Sequence, residues 1–207
     1  MDGSVEVGRR DAAAGRRAEG SLQMEQKSAE TVIGSVVEPR AYGFLTVVES
    51  STHGVFGGYL LVDPWGRPLE FHCTAPVKVS RAQQILFGST LQSHLHGQQI
   101  GGTLLAESTV TPDVVLTDLE PMLHVRSHTK LPVALVREAS SDLPAATFGS
   151  LGGTSSFTIG NASVRPHATD AARGDDLRER LEELAAAVDL CEPFERIRAA
   201  IDEAQRR

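Results

Sequence analysis

The sequence predicts an α/β or α+β domain built on a small mixed sheet of four to six strands. An antiparallel meander comes first, then a parallel βαβ unit with packed helices, then a helical C-terminal segment. Three observations carry this. Short apolar runs with a period of two crowd between Thr31 and Thr74. Strand, helix and strand patterns follow one another between Asp113 and Val136. After residue 175 the apolar residues change to helical spacing.

The strands are read first. Val32, Ile33, Val36 and Val37 open the β-rich region, and Gly43 to Val48 is a second candidate. Val55 to Val62 is apolar on both faces, which places it inside a covered sheet. Asp63-Pro64-Trp65-Gly66 makes a tight turn, since Asp suits the first position and Pro presets φ at the second. Leu69 to Thr74 returns with clean alternation. Leu69, Phe71 and Cys73 are expected on the core side, with Glu70, His72 and Thr74 facing water. The Gly57-Gly58 pair marks a bulge or a close packing contact.

Helices follow. Ser80 is a good N-cap for a short helix over Arg81–Phe87, and Gly88 a good stop. A longer helical stretch from Thr90 to Glu107 is interrupted by Gly97, Gly101 and Gly102, which either weaken it or permit close backbone packing. Asp113 to Thr117 reads as a strand. Thr117-x-x-Glu120 has the form of a capping box that opens a helix toward His128, and Leu131 to Val136 is the next strand. Leu177, Leu181, Leu184 and Val188 form one apolar stripe; Phe194, Ile197 and Ile201 continue it beyond Pro193.

These elements divide the chain into four parts. Residues 1–28 are expected to be a disordered tail, carrying five acids and five bases without periodicity. Residues 29–139 form the α/β domain. Residues 140–174 are expected to be a flexible linker, because Ser, Gly, Ala and Thr fill 21 of those positions. Residues 175–207 are the amphipathic helical segment.

Composition bounds function only broadly. The chain has 207 residues, 20 basic and 27 acidic, for a formal charge of −7. Scattered basic residues on an acidic chain give no footprint for phosphate contact, so nucleic acid is not expected as a partner. No apolar run is long enough to span a bilayer, and no leader sequence is expected, since residues 1–23 hold no apolar stretch of the needed length. Two distant cysteines, Cys73 and Cys191, fit a cytoplasmic protein with reduced thiols.

The candidate sites are few. His124 and His128 share a face if their segment is α-helical, as two metal-binding imidazoles require. Asp118 lies where a strand gives way to a helix, the place where open α/β sheets gather ligands. Each has a plainer reading: histidines near a helix C-terminus, and an acidic helix start. His72, Cys73, His94 and His96 do not converge by strand or helix geometry. No phosphate loop, dinucleotide fingerprint or nucleophile elbow occurs. No catalytic set and no cofactor are therefore predicted.

Trp65 at a hairpin tip either folds back on its own sheet or serves as an interface anchor. The stripe Leu177, Leu181, Leu184, Val188, Phe194, Ile197 and Ile201 must be buried on the chain's own sheet, a second copy or a partner. The leading expectation is a non-catalytic cytoplasmic interaction or regulatory protein that self-associates. The alternative is a metal- or small-ligand-dependent enzyme or sensor with its site around Asp118, His124 and His128.

Overall fold

The computed structural model describes residues 40–139 and 156–206, all within one unit, Pro39–Arg207. Seven strands make a single mixed sheet: β1 (Tyr42–Ser50), β2 (Gly54–Val62), β3 (Pro68–Cys73), β4 (Val114–Thr117), β5 (Val133–Glu138), β6 (Phe157–Ile159) and β7 (Ala162–Pro166). Their order is β3-β2-β1-β4-β5-β7-β6. β1, β2 and β3 form the antiparallel meander, β4 and β5 lie parallel to β1, and β7 returns antiparallel to β5. The α/β class holds, with one strand more than the sequence predicts.

Four helices are present among the described residues, and three of them cover the sheet. α1 (Arg81–Phe87) is short; α2 is the helical run 91–107, whose middle, His94–Gly102, is π-helical. α3 (Gly174–Ala185) and α4 (Glu192–Gln205) close the chain. Alternation along each strand sends Tyr42, Phe44, Leu60, Leu116 and Val136 to one face, against α3 and α4. It sends Leu45, Tyr59, Val115 and Leu135 to the other, against α2 and a 3-10 segment, Glu120–His128. The sheet is thus covered on both faces, which is why β1, β2 and β4 are apolar on both.

Local chemistry explains the boundaries. Ser80 caps α1 by accepting from the Gln83 backbone N–H at 3.2 Å, and the Gln83 side chain accepts from the Ser80 N–H at 2.9 Å. Gly88, at φ +50°, ends it. In the β2–β3 turn the Asp63 carboxylate accepts from the Trp65 and Arg67 backbone N–H groups, each at 2.9 Å.

Several expectations are corrected. The stripe Leu177, Leu181, Leu184, Phe194, Ile197 and Ile201 is buried on the chain's own sheet, so it is core rather than interface; Val188 packs against the same cluster. Phe44 and Phe194 meet edge to face, with ring centroids 5.3 Å apart. The Ser/Gly/Ala/Thr-rich stretch does not run as a linker to residue 174: Phe157–Ile159 and Ala162–Pro166 pair with the sheet. Ile159, Ala162 and Val164 of that hairpin join the core cluster that also holds Leu177, Leu181 and Leu184 of α3. The faces of β3 are reversed: Leu69 and Phe71 are about two-fifths exposed, while Glu70 is tied down. The capping box at Thr117 does not form. Its hydroxyl accepts from the Leu119 N–H instead, and the segment that follows is 3-10. The expected tail 1–28, the strand at 32–37 and residues 140–155 lie outside the described residues.

Candidate functional site

β4 is shorter than its neighbours, and this shapes the site. Its last pairings are Leu45 with Thr117 and Thr117 with Leu135. β1 continues to Ser50 and β5 to Glu138, so the end of β4 sits in a notch between two longer strands. The notch lies at the carboxyl ends of three parallel strands, β1, β4 and β5, a place where open sheets gather ligands.

Asp118 is the first residue past β4, on the face covered by α4. Thr46 of β1 donates its hydroxyl hydrogen to Asp118 Oδ1 at 2.6 Å. Arg198 of α4 donates from Nη2 to Oδ2 of the same carboxylate. The Asp118 side chain is 18% exposed and that of Arg198 42%, so the pair is reachable from solvent. The Nε and Nη1 groups of Arg198 take no hydrogen-bond acceptor among the described residues. A guanidinium held at one nitrogen, with Nε and Nη1 unengaged among the described residues, is an oriented donor for an oxyanion.

The surroundings are acidic. Cys191, just before α4, has its thiol pushed up to about 11, first by burial and then by Asp189, Glu138, Asp118 and Glu195. That thiol is no nucleophile at neutral pH. Among the described residues no group of three or more His, Cys, Asp or Glu side chains is placed to hold a metal ion.

The predicted ligands do not assemble. His124 and His128 lie in 3-10 rather than α geometry, and at three residues per turn positions four apart no longer share a face. Both are exposed, and His124 lies against Gly97 of α2. Asp118 is on the opposite side of the sheet with Arg198. The predicted trio is therefore split between the two faces. Trp65 is 67% exposed at its hairpin tip and does not fold back on the sheet; the Arg67 guanidinium lies 5.0 Å from its ring centroid.

Thr46 and Arg198 were not singled out by sequence reasoning. Thr46 left a signal: Tyr42, Phe44, Thr46 and Val48 share a strand face, and Thr46 is the polar member of it. A fully buried hydroxyl there needs a partner. Arg198 left none, being one of several charged residues on an amphipathic helix.

No protein-family model matches the chain, and no curated protein matches it. Among solved structures, a variant of Ciona intestinalis Endonuclease V in complex with a 23mer DNA shares 12% identity at a TM-score of 0.40. That alignment covers 77% of this chain and 88% of the other. The catalytic domain of human Endonuclease V shares 11% at 0.39, covering 82% and 85%. Marinitoga piezophila Argonaute with a guide RNA shares 10% at 0.29, covering 61% and 22%. These three TM-scores lie below 0.5 and carry no family and no residue role to this chain. Two expectations stand against these likenesses and are not carried forward: a non-catalytic, self-associating interaction protein, and nucleic acid as an unlikely partner. That expectation leaned on net charge and on basic residues scattered along the sequence, neither of which tells which cations share a local surface. Among the described residues no helix is long and apolar enough to cross a membrane.

Proposed function

We propose that the notch beyond β4 binds a phosphate group of a nucleic-acid strand, accompanied by a divalent cation. One observation carries the reading: Asp118, itself held by Thr46, accepts one N–H from Arg198 Nη2, while Nε and Nη1 take no acceptor among the described residues. Two parallel N–H groups in a rigid fork suit a phosphate better than a spherical anion. The likeness to nucleases is not what supports it; Arg198 is.

The carboxylates near the notch decide what must come with the phosphate. Glu138, Asp189 and Glu195 act, together with Asp118, on the Cys191 thiol, and the same charges would repel a bare phosphate brought beside Asp118. Magnesium is commonly held by one or two carboxylates together with substrate phosphates, not by a full protein cage. The acidic rim then favours the ion pair of metal and phosphate over either alone.

Fluorescence anisotropy of short labelled single-stranded DNA and RNA, in magnesium and in EDTA, tests this. Binding is expected in magnesium, with loss of roughly tenfold or more in Arg198→Met, the scale of one charge-assisted hydrogen bond. Thr46→Val is expected to weaken binding less. Gel analysis of the same samples reports whether the strand is cut. Equal binding by wild type and Arg198→Met, or none by either, ends the reading.

A further inference from the structure

We propose that α1 is a contact point for an anionic lipid surface. This is independent of the notch and needs nothing from it. α1 is seven residues long and none of them is buried. It packs mainly against the start of the helical run that follows it. Ile85 is 67% exposed and Leu86 81%, the most exposed large aliphatic side chains among the described residues. Adjacent positions on a helix are about 100° apart, so the two make one broad apolar end. Core packing does not account for it, and a pair of exposed branched aliphatics is costly to leave in water.

Charge names the partner. The chain has 27 acidic residues, yet from Phe71 to Ala106 it has none. Arg81 opens α1 and Lys78 lies three residues before it; both are exposed. Arg81 is four residues from Ile85, on the same side of the helix. An apolar end on a helix whose own sequence segment carries two cations and no acid is complementary to anionic headgroups over hydrocarbon. It matches a nucleic-acid strand less well, because bases stack on aromatic rings and Ile85 and Leu86 offer none. Phe87, the aromatic neighbour, is already stacked on His94 with centroids 4.3 Å apart. Such contact lies on the bilayer and is reversible; it requires no spanning helix.

The test is co-sedimentation of the full chain with vesicles of phosphatidylcholine alone and of phosphatidylcholine with phosphatidylserine. Binding is expected to the mixed vesicles only, and to fall as salt is raised. Ile85→Ser/Leu86→Ser is expected to cut the bound fraction at least tenfold, and Lys78→Gln/Arg81→Gln severalfold. Both changes are fully on the surface, so unchanged thermal melts are expected and serve as the folding control. No sedimentation of the wild type, equal binding to neutral vesicles, or undiminished binding by the Ile85/Leu86 variant each overturns the proposal. So does an Ile85/Leu86 variant that keeps vesicle binding but loses affinity for single-stranded oligonucleotide, which would assign α1 to nucleic acid.

Discussion

Gly57 and Gly58, adjacent in β2, each receive a helix, one on either face of the sheet. A Cβ on Gly57 would stand 2.1 Å from Ile100 Cγ2 of α2, and one on Gly58 would stand 2.2 Å from Ile197 Cγ2 of α4. The two helices approach as closely as they do because this strand offers bare backbone at two successive residues.

Alanine at either position is therefore expected to destabilise. The clashing atoms are branches at Cβ of isoleucine, which cannot swing away as a long side chain would. The helix must move instead. Gly57→Ala and Gly58→Ala are each expected to cost about 1–3 kcal/mol, the range for overpacking a filled core. Urea denaturation with a lowered midpoint and an unchanged slope checks this. The pair was legible in the sequence as a bulge or a close contact, and the structure selects the contact.

A second prediction concerns Asp170, which is 1% exposed and receives Arg126 Nε at 2.8 Å, Arg126 Nη2 at 3.1 Å and the Val133 backbone N–H at 3.1 Å. This carboxylate joins the segment before α3 to the start of β5 and to the 3-10 segment. Asp170→Ala leaves a guanidinium largely buried with no counter-charge. The expected loss is about 3–5 kcal/mol, as for other buried pairs broken on one side. The Arg126→Met/Asp170→Leu double variant, which removes both charges, is expected to lose less than the single one.

Glu70 gives a dependence on acid. Its carboxylate accepts from the Thr109 hydroxyl, from His72 Nε2 at 3.0 Å, from the Ser108 hydroxyl at 3.0 Å and from the Thr109 N–H at 3.2 Å. Those donors, the Thr109 hydroxyl foremost, lower it from 4.5 to about 2. A carboxyl lowered on folding contributes fully above its unfolded value and loses that contribution as pH falls from about 4.5 through about 2. Glu70→Gln is expected to be less stable than wild type at neutral pH, and the gap in urea midpoint to narrow across that acid window.

Glu70 also shows where the sequence stops being informative. Alternation in Leu69 to Thr74 told that β3 has two unlike faces but not which one the protein covers. As an edge strand it has one neighbour, and α4 reaches only β1 and β2 on that face. The polar side wins because Ser108 and Thr109, far along the chain, supply its donors. The same limit hides the notch. Thr46, Asp118 and Arg198 are brought together by strand order and by a helix that docks on the sheet, and neither is encoded in local spacing. What local spacing does encode was readable: the Ser80 cap, the Gly88 stop and the parallel pairing of β4 with β5.

His96 carries a dependence in a milder range. It is 5% exposed in the π-helical part of α2, and neither ring nitrogen has a hydrogen-bond partner among the described residues. Burial lowers it below the usual 6.5, against a smaller opposing pull from Glu49. The folded protein thus holds the neutral imidazole, while the unfolded chain takes up a proton as pH falls below 6.5. Stability is expected to fall from there downward. His96→Leu removes two unsatisfied nitrogens from the core, so it is expected to be at least as stable as wild type at neutral pH. It is also expected to flatten the wild-type decline just below 6.5, read from melting temperatures in a pH series.

The two thiols are expected to separate kinetically. Cys73 is exposed on the edge strand, whereas Cys191 is half-buried beside four carboxylates that, with burial, raise it to about 11. The thiolate is the reacting species, so Cys191 at pH 7.5 has little of it and a negative field that repels an anionic reagent. Ellman's reagent should modify Cys73 in a fast phase and Cys191 in one at least tenfold slower, and Cys73→Ser should abolish the fast phase. Arg198→Met leaves Asp118 without its cation, so the field at Cys191 becomes more negative and the slow phase slower still. A slow phase that instead accelerates, with the melting temperature unchanged, would mean that Asp118 does not act on that thiol.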